Sequence, residues 1–355
     1  MPLDILRQRL QNQLLSQTKF TQPSQVVAWL GAVQSQDYAG AKWAISQRTN
    51  GLTDGEIERC FAKGEILRTH VLRPTWHFVT PQDIRWMLAL TAPRVLALLA
   101  FLDRQLTVDQ SLIKQTNTIL AKALEGGKQS TRAEIGSVLQ KNGVQTNGLR
   151  LGHIVMHAEL DGIICSGARK GKQFTYALLE ERAPQAKTLE HEEALAELTK
   201  RYFRSHGPAT LKDFVWWSGL TMAEARKGID FVKSEFEQEV IEGQNYWFAA
   251  WRPVRKPSPT TFLLPNYDEY TVGYTDRSAI FDASHADKFP RESVLAQSIL
   301  VAGRIVGTWK RTIKKKEIVI ELAPFTLPTN EQNQAIIAAT QQYGKFLELP
   351  VVITN

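Results

Sequence analysis

Apolar residues recur at helical intervals near the start of the chain, and the phase breaks at definite points. Ile5, Leu6, Leu10 and Leu14 give residues 3–17 one helical face. Val26, Val27, Leu30 and Val33 form a second, for which Ser24 is the expected N-cap. That periodicity stops at Gln34. A third helix, AGAKWAISQR, follows with Asp37 placed to cap it, and a fourth starts near Thr53, carries Ile57 and Phe61, and ends at Gly64. ILRTHVL and TWHFVT lie either side of Arg73-Pro74 and predict a β-hairpin. Helices followed by a hairpin is the order of a winged helix.

The pattern then repeats. Residues 109–125 predict a helix ending at Gly126-Gly127, followed by STRAEIGSVLQKNG, LRLGHIVMHAELDG and two short strands, IICSG and FTYALLE, around the basic turn ARKGKQ. A third copy runs from EHEEALAELTKRYFRSHG through PATLKDFVWWSG and TMAEARKGIDFV to the strands FEQEVIEG and QNYWFAA. Thr131 with Glu134, and Thr210 with Asp213, each offer a hydroxyl cap and an acid three residues on. The copies recur at about 80 residues, too long for a short solenoid repeat and suited to tandem modules. RKPSPTT (255–261) marks a proline-rich boundary. Beyond it, residues 298–322 alternate apolar and polar positions as a β-meander, and NEQNQAIIAATQQYGKFL is a last helix. The expected fold class is α+β: tandem winged-helix domains over 1–106, 107–186 and 187–256, with a C-terminal β-rich segment over 257–355.

Length agrees, since 355 residues exceed one ordinary core. At 43% hydrophobic and 22% charged the composition is that of a globular protein. Lys+Arg 43 against Asp+Glu 36 leaves +7, a surplus compatible with a polyanion partner. Cys60 and Cys165 stand alone, which points away from zinc or a disulfide framework and towards a reducing compartment. The most apolar stretch, residues 86–102, is interrupted by Pro93 and Arg94 and is not expected to span a bilayer. The first 20 residues lack a signal-peptide pattern, so a cytoplasmic location is expected.

No phosphate loop, GxSxG elbow, HExxH or Cys/His cluster is present, and the seven histidines are scattered. That leaves binding, or chemistry that asks little of the protein. Gln34 and Gln36 then draw interest. On a continuous helix they point about 200° apart; on a broken backbone both can face one cleft. An amide is no general base, but its oxygen can hold a water in line with an electrophilic carbon. That suffices where the leaving group is already activated, as in a cationic N-alkylated purine. A glutamine pair at a helix end is ordinarily a solvated terminus, and spacing alone does not separate the two readings.

Seven segments, in order, carry a resemblance: VQSQDYAGAKWAI, LRPTWHFV, LGHIVMHAELDGIICSG, RKGKQFTYALLEERAP, GPATLKDFVWWSGLT, LLPNYDEYTVGYTDR and GRIVGTWKRTIKK. The chain resembles the AlkZ-type DNA glycosylase family over nearly its whole length. The resemblance implies tandem winged-helix domains forming a concave DNA-binding cradle and a Gln-x-Gln catalytic motif, matched by Gln34-Ser35-Gln36, with serine where the motif often has an aliphatic residue. It implies hydrolysis of the N-glycosidic bond of alkylated bases, including bulky or crosslinked ones, in double-stranded DNA. No cofactor, metal or membrane is implied, and a monomer is expected. A monofunctional enzyme is expected too: a lysine nucleophile would be needed to cleave the strand, and nothing singles out the nearest candidate, Lys42.

Arg169, Lys170 and Lys172 in the basic turn, and Lys310, Arg311 and Lys314 in WKRTIKKKE, are candidate phosphate contacts. Charge runs are also commonly solvated faces or edge protection. On a strand Lys310, Lys314 and Lys316 share one face and Arg311 and Lys315 the other, so only part of the run can meet one duplex. His77, opposite the core-directed Trp76 and Phe78, is either structural or lines a base pocket, and Tyr38 is the other pocket candidate. Asp268 and Glu269 suggest capping or an internal ion pair. The competing class is a non-catalytic DNA-binding protein or transcription regulator. The helices near 149–161 and 221–232 carry few of the Arg, Asn and Gln that read a major groove.

Overall fold

The computed structural model describes residues 3–16, 20–250, 261–285 and 296–354. The chain opens with α1 (Ile5–Asn12), after which one order of elements recurs. Its first instance is α2 (Pro23–Leu30), β1 (Val33–Gln34), α3 (Tyr38–Ser46), α4 (Asp54–Lys63) and a hairpin of β2 (Leu67–His70) and β3 (Trp76–Val79). After the long α5 (Ile84–Leu106) come α6 (Gln110–Leu124), β4 (Ser130–Thr131), α7 (Arg132–Lys141), α8 (Arg150–Leu160), β5 (Ile164–Ser166) and β6 (Thr175–Leu178). A turn of helix, α9 (Leu179–Arg182), leads to α10 (His191–His206), α11 (Leu211–Ser218), α12 (Met222–Val232), β7 (Glu237–Ile241) and β8 (Gln244–Phe248). In this third instance the first strand shrinks to one bridge, Ala209 with Trp247. The chain closes with β9 (Thr261–Leu264), α13 (Glu269–Val272), β10 (Ser298–Val301), β11 (Arg304–Ile313), β12 (Ile318–Pro324), α14 (Asn330–Leu347) and β13 (Val351–Thr354). The fold is thus mixed helix and sheet, as expected. The proline-rich boundary at 255–261 lies, but for Thr261, outside the described residues.

Local chemistry explains the helix starts. Thr131 accepts from the Glu134 N–H, and the Glu134 carboxylate accepts from the Thr131 N–H at 2.6 Å. Thr210 with Asp213 and Thr221 with Glu224 repeat this reciprocal cap. Two expectations are corrected. Helix α2 starts at Pro23, so Ser24 lies inside its first turn and Gln22 takes the cap position; proline fits there because its missing N–H would have no helical partner. Pro93 does not interrupt its helix either: α5 runs through it. Pro93 and Ala89, whose carbonyl it leaves unbonded, are both exposed, so water can serve that carbonyl. Among the described residues α5 is the one helix long and apolar enough to cross a membrane by length and composition.

Contacts divide the chain into two compact units. One comprises residues 59–198 and 218–220. Its core joins Ile113, Leu120 and Leu124 of α6 to Ile135 and Leu139 of α7, Ile154, Val155 and Ala158 of α8, and the sheet residues Ile164, Tyr176 and Leu178. The sheet order there is β4-β6-β5, all antiparallel. The other unit comprises residues 1–58, 199–217 and 221–355. It holds a five-stranded sheet ordered β13-β12-β11-β10-β9, parallel at β12/β13 and antiparallel elsewhere. Tyr343 of α14 packs edge-on against Trp43 of α3 and against Trp309 of β11. Both indoles donate to β9 carbonyls, Trp43 to Leu263 and Trp309 to Leu264. The expected meander is present as β10–β12. Its strand ends at Ile313, so Lys314–Lys316 form the turn and have no strand face to share.

Candidate active site

Gln34 and Gln36 stand where β1 gives way to α3. The Gln34 N–H donates to Glu269 Oε1 at 2.8 Å, which fixes the backbone there. Its side chain is buried, 7% exposed, and Gln34 Oε1 accepts no hydrogen bond among the described residues. Gln36 sits in the following bend and is exposed. Asp37 then caps α3 as expected, accepting from the Gly40 N–H at 3.0 Å. Its carboxylate also accepts from Asn266 Nδ2 at 3.2 Å and lies 3.9 Å from Arg311 Nη2. Gly40 has no room for a side chain, because a Cβ would lie 2.6 Å from Asp37 Oδ2 and 3.0 Å from Pro265 Cβ.

Glu269, fully buried, anchors this segment from α13. Besides Gln34 it accepts from Trp217 Nε1 at 2.9 Å and lies 3.3 Å from His206 Nε2. The His206 ring stacks on Tyr202 at 4.7 Å. Burial holds its pKa below the ordinary histidine value, outweighing the hydrogen bond to Glu269 that favours the charged form. Asp268 forms the expected internal ion pair and cap. It takes Arg48 Nη1 and Nη2 at 2.9 and 2.7 Å and accepts from the Tyr270 N–H. Glu269 as an anchor was not foreseen, and neither were His206 and Trp217.

Nearby, the Lys42 amine is buried and ion-paired to Asp54 at 2.9 Å and Glu58 at 2.7 Å. Tyr38, also buried, donates its hydroxyl to Glu58 at 3.0 Å. His77 belongs to the other unit, fully buried, with Nδ1 2.9 Å from the Thr75 carbonyl oxygen.

The candidate cations divide. Lys170 and Lys172 are exposed at the tip of the β5–β6 hairpin, Lys170 3.2 Å from Glu134. Lys310 is exposed on β11, and Lys314 is exposed and ion-paired to Glu317 at 2.9 Å. Two are corrected. Arg311 packs beside Asp37 and over the Tyr343 ring, its side chain 12% exposed, because α14 covers that side of β11. Arg169 is half-buried, its guanidinium 5.3 Å over Phe174.

The histidines scattered in sequence are not all scattered in space. His153 and His157 of α8 both direct Nε2 at Asp103 Oδ1 of α5, His157 at 2.7 Å. Burial pushes the Asp103 carboxyl up, but hydrogen bonds from the two imidazoles outweigh it and hold the group below its usual range. Cys60 and Cys165 are buried and form no disulfide. Burial pushes the Cys165 thiol up to about 12.

A family model described as DNA glycosylase AlkZ-like matches residues 27–346. The chain is similar to an interstrand DNA cross-link repair glycosylase of Streptomyces sahachiroi, 25% identical over 334 residues that cover 90% of this chain and 89% of the relative. In structure it is similar to the solved Streptomyces sahachiroi DNA glycosylase AlkZ, with a TM-score of 0.81 at 22% identity, covering 99% of this chain and 98% of that one.

Proposed function

This chain belongs to the AlkZ-like DNA glycosylase family, and from that premise we propose that it hydrolyses the N-glycosidic bond of N7- or N3-alkylated purines in double-stranded DNA. The base is released and an abasic site remains. A purine alkylated there is cationic, so its bond to C1′ is weak and the base leaves without being protonated. Water adds to C1′ as that bond breaks, the bonding electrons depart with the base, and the water's spare proton passes to solvent. The protein must hold the water in line and present negative potential to the cationic sugar. Amide oxygens do both without acting as bases.

One observation carries the assignment: the buried Gln34 Oε1 has no donor among the described residues, while its backbone is pinned by Glu269. Leaving a buried acceptor unmade costs about 1–3 kcal/mol. That cost makes sense for an oxygen kept for a water or sugar that arrives with the DNA. Gln36, exposed two residues on, is the second amide. The ion pairing of Lys42 to two carboxylates fits a monofunctional enzyme, since its amine is committed.

We read the recurring helix, strand, helix, helix and hairpin as three winged-helix modules, over 1–106, 107–186 and 187–256, followed by a C-terminal β-rich segment. Lys170, Lys172, Lys310 and Lys314 contact phosphates in this reading. The relative named for interstrand cross-link repair extends the substrate class, because a cross-link through purine nitrogens offers the same cationic leaving group. The enzyme acts as a monomer in the compartment that holds DNA.

The test is base release from duplexes carrying N7-methylguanine or an N7-linked interstrand cross-link. Wild type is compared with Gln34→Ala and Gln36→Ala, and duplex binding is measured alongside. Release by wild type, lost in both variants with binding retained, supports the reading. Binding without release by wild type on either substrate leaves a non-catalytic DNA-binding protein.

A further inference from the structure

Helices α5 and α8 meet through three polar side chains for which the glycosylase chemistry has no use. Asp103 comes from the last turn of α5, and His153 and His157 lie one turn apart on the same face of α8. Both imidazoles are buried at 3% side-chain exposure, while Asp103 retains 21%. The rings stand nearly perpendicular, 82° apart, with centroids separated by 5.0 Å. The three candidate donor atoms all lie within 4.8 Å of one another. We propose that Asp103, His153 and His157 form a zinc-class divalent-cation site that ties α5 to α8, with water in the fourth position.

The arrangement is awkward as a hydrogen-bonded cluster. Both buried rings would have to carry a proton on Nε2 and spend it on the same carboxylate oxygen. A cation uses the same geometry better, drawing on two imidazole lone pairs and the carboxylate charge while the ring protons sit on Nδ1. Tetrahedral zinc with bonds of about 2.0–2.1 Å sets its donors about 3.3 Å apart. His157 Nε2, at 2.7 Å from Asp103 Oδ1, must therefore back off by about 0.6 Å, within reach of small side-chain rotations. Two imidazoles disfavour magnesium and calcium, which take oxygen ligands, and suit zinc, with copper and nickel as competitors separated from it by geometry and availability rather than raw affinity. Histidines four apart on a helix are a familiar zinc spacing. The partial exposure of Asp103 leaves an entry path. Bound there, the ion braces a helix pair that otherwise meets through Val95 and Leu99 of α5 and Leu160 of α8.

Full-length protein is stripped with a chelator, dialysed and titrated with zinc chloride by calorimetry. Wild type should bind one equivalent and melt at higher temperature with it. His153→Gln/His157→Gln should lose more than about 100-fold in affinity, beyond what outer-sphere changes cost, while the exposed His191→Gln keeps wild-type affinity. X-ray absorption at the zinc edge of the wild-type complex should give two imidazole nitrogens and oxygen, an arm that stands even if the double variant does not fold. No stoichiometric uptake by wild type, uptake unchanged in the double variant, or a sulfur shell would each overturn the proposal. None of these readouts depends on base release.

Discussion

Replacing Glu269 by glutamine keeps its shape and removes its charge and one acceptor oxygen. The two oxygens serve different donors: Oε1 takes the Gln34 N–H at 2.8 Å, and Oε2 takes Trp217 Nε1–H at 2.9 Å with His206 at 3.3 Å. Whichever way the new amide is turned, its NH2 faces a buried N–H donor across one of those contacts. One native donor loses its partner, at a cost of about 1–3 kcal/mol, and the remaining bond loses its charge assistance, worth roughly half its strength. If the Gln34 contact fails, the local opening equilibrium rises about 5- to 150-fold. Unfolding of a chain with two units need not be a single transition, so amide exchange at Gln34 is the direct assay, with single-turnover base release beside it. Protection should fall within that range at Gln34, or at the Trp217 indole N–H if the amide turns the other way, and release should slow without a matching loss of duplex affinity. Unchanged protection at both N–H groups with unchanged release would refute the reasoning, because Glu269 would then not hold the glutamine segment.

Gly40→Ala places a methyl 2.6 Å from Asp37 Oδ2, so the α3 cap must break or shift; a loss of about 1–3 kcal/mol is expected in urea titration, with slowed base release. Lys170→Ala/Lys172→Ala should leave single-turnover release intact and lower the slope of log affinity against log salt by about 1.8, at 0.9 per phosphate contact, read by anisotropy over a salt series. His206 is buried with a depressed pKa, so the unfolded chain binds a proton that the folded chain refuses. The His206 contribution is therefore complete above about pH 6.5 and declines as pH falls below it, by at most about 1.4 kcal/mol per pH unit. Melting across pH 5–8 should show that decline, and His206→Gln should flatten it.

The recurring order of elements was legible because its signals are local. A cap such as Thr131 with Glu134 spans three residues, and the hairpin around Arg73-Pro74 is announced by its own turn. Failures arose where a distant neighbour or solvent decides. Pro93 reads as a breaker, yet its helix continues because the freed carbonyl of Ala89 faces outward. Strand alternation placed Arg311 on a face of β11 but could not say that α14 covers it. Gln34 and its anchor Glu269 are separated by 235 residues, and Asp103 and His153 by 50, so no periodicity connects either pair. The motif itself, Gln34-Ser35-Gln36, was visible at once; that one amide is buried and the other exposed was not.

The segment 34–37 is held by Glu269, Asn266 and Arg311, all from the last third of the chain. During synthesis the segment emerges well before its braces, Asn266 lying 229 residues beyond Asp37. A nascent chain therefore carries the glutamine pair long before these three side chains can fix the backbone around it. A product truncated before residue 266 would lack all three braces.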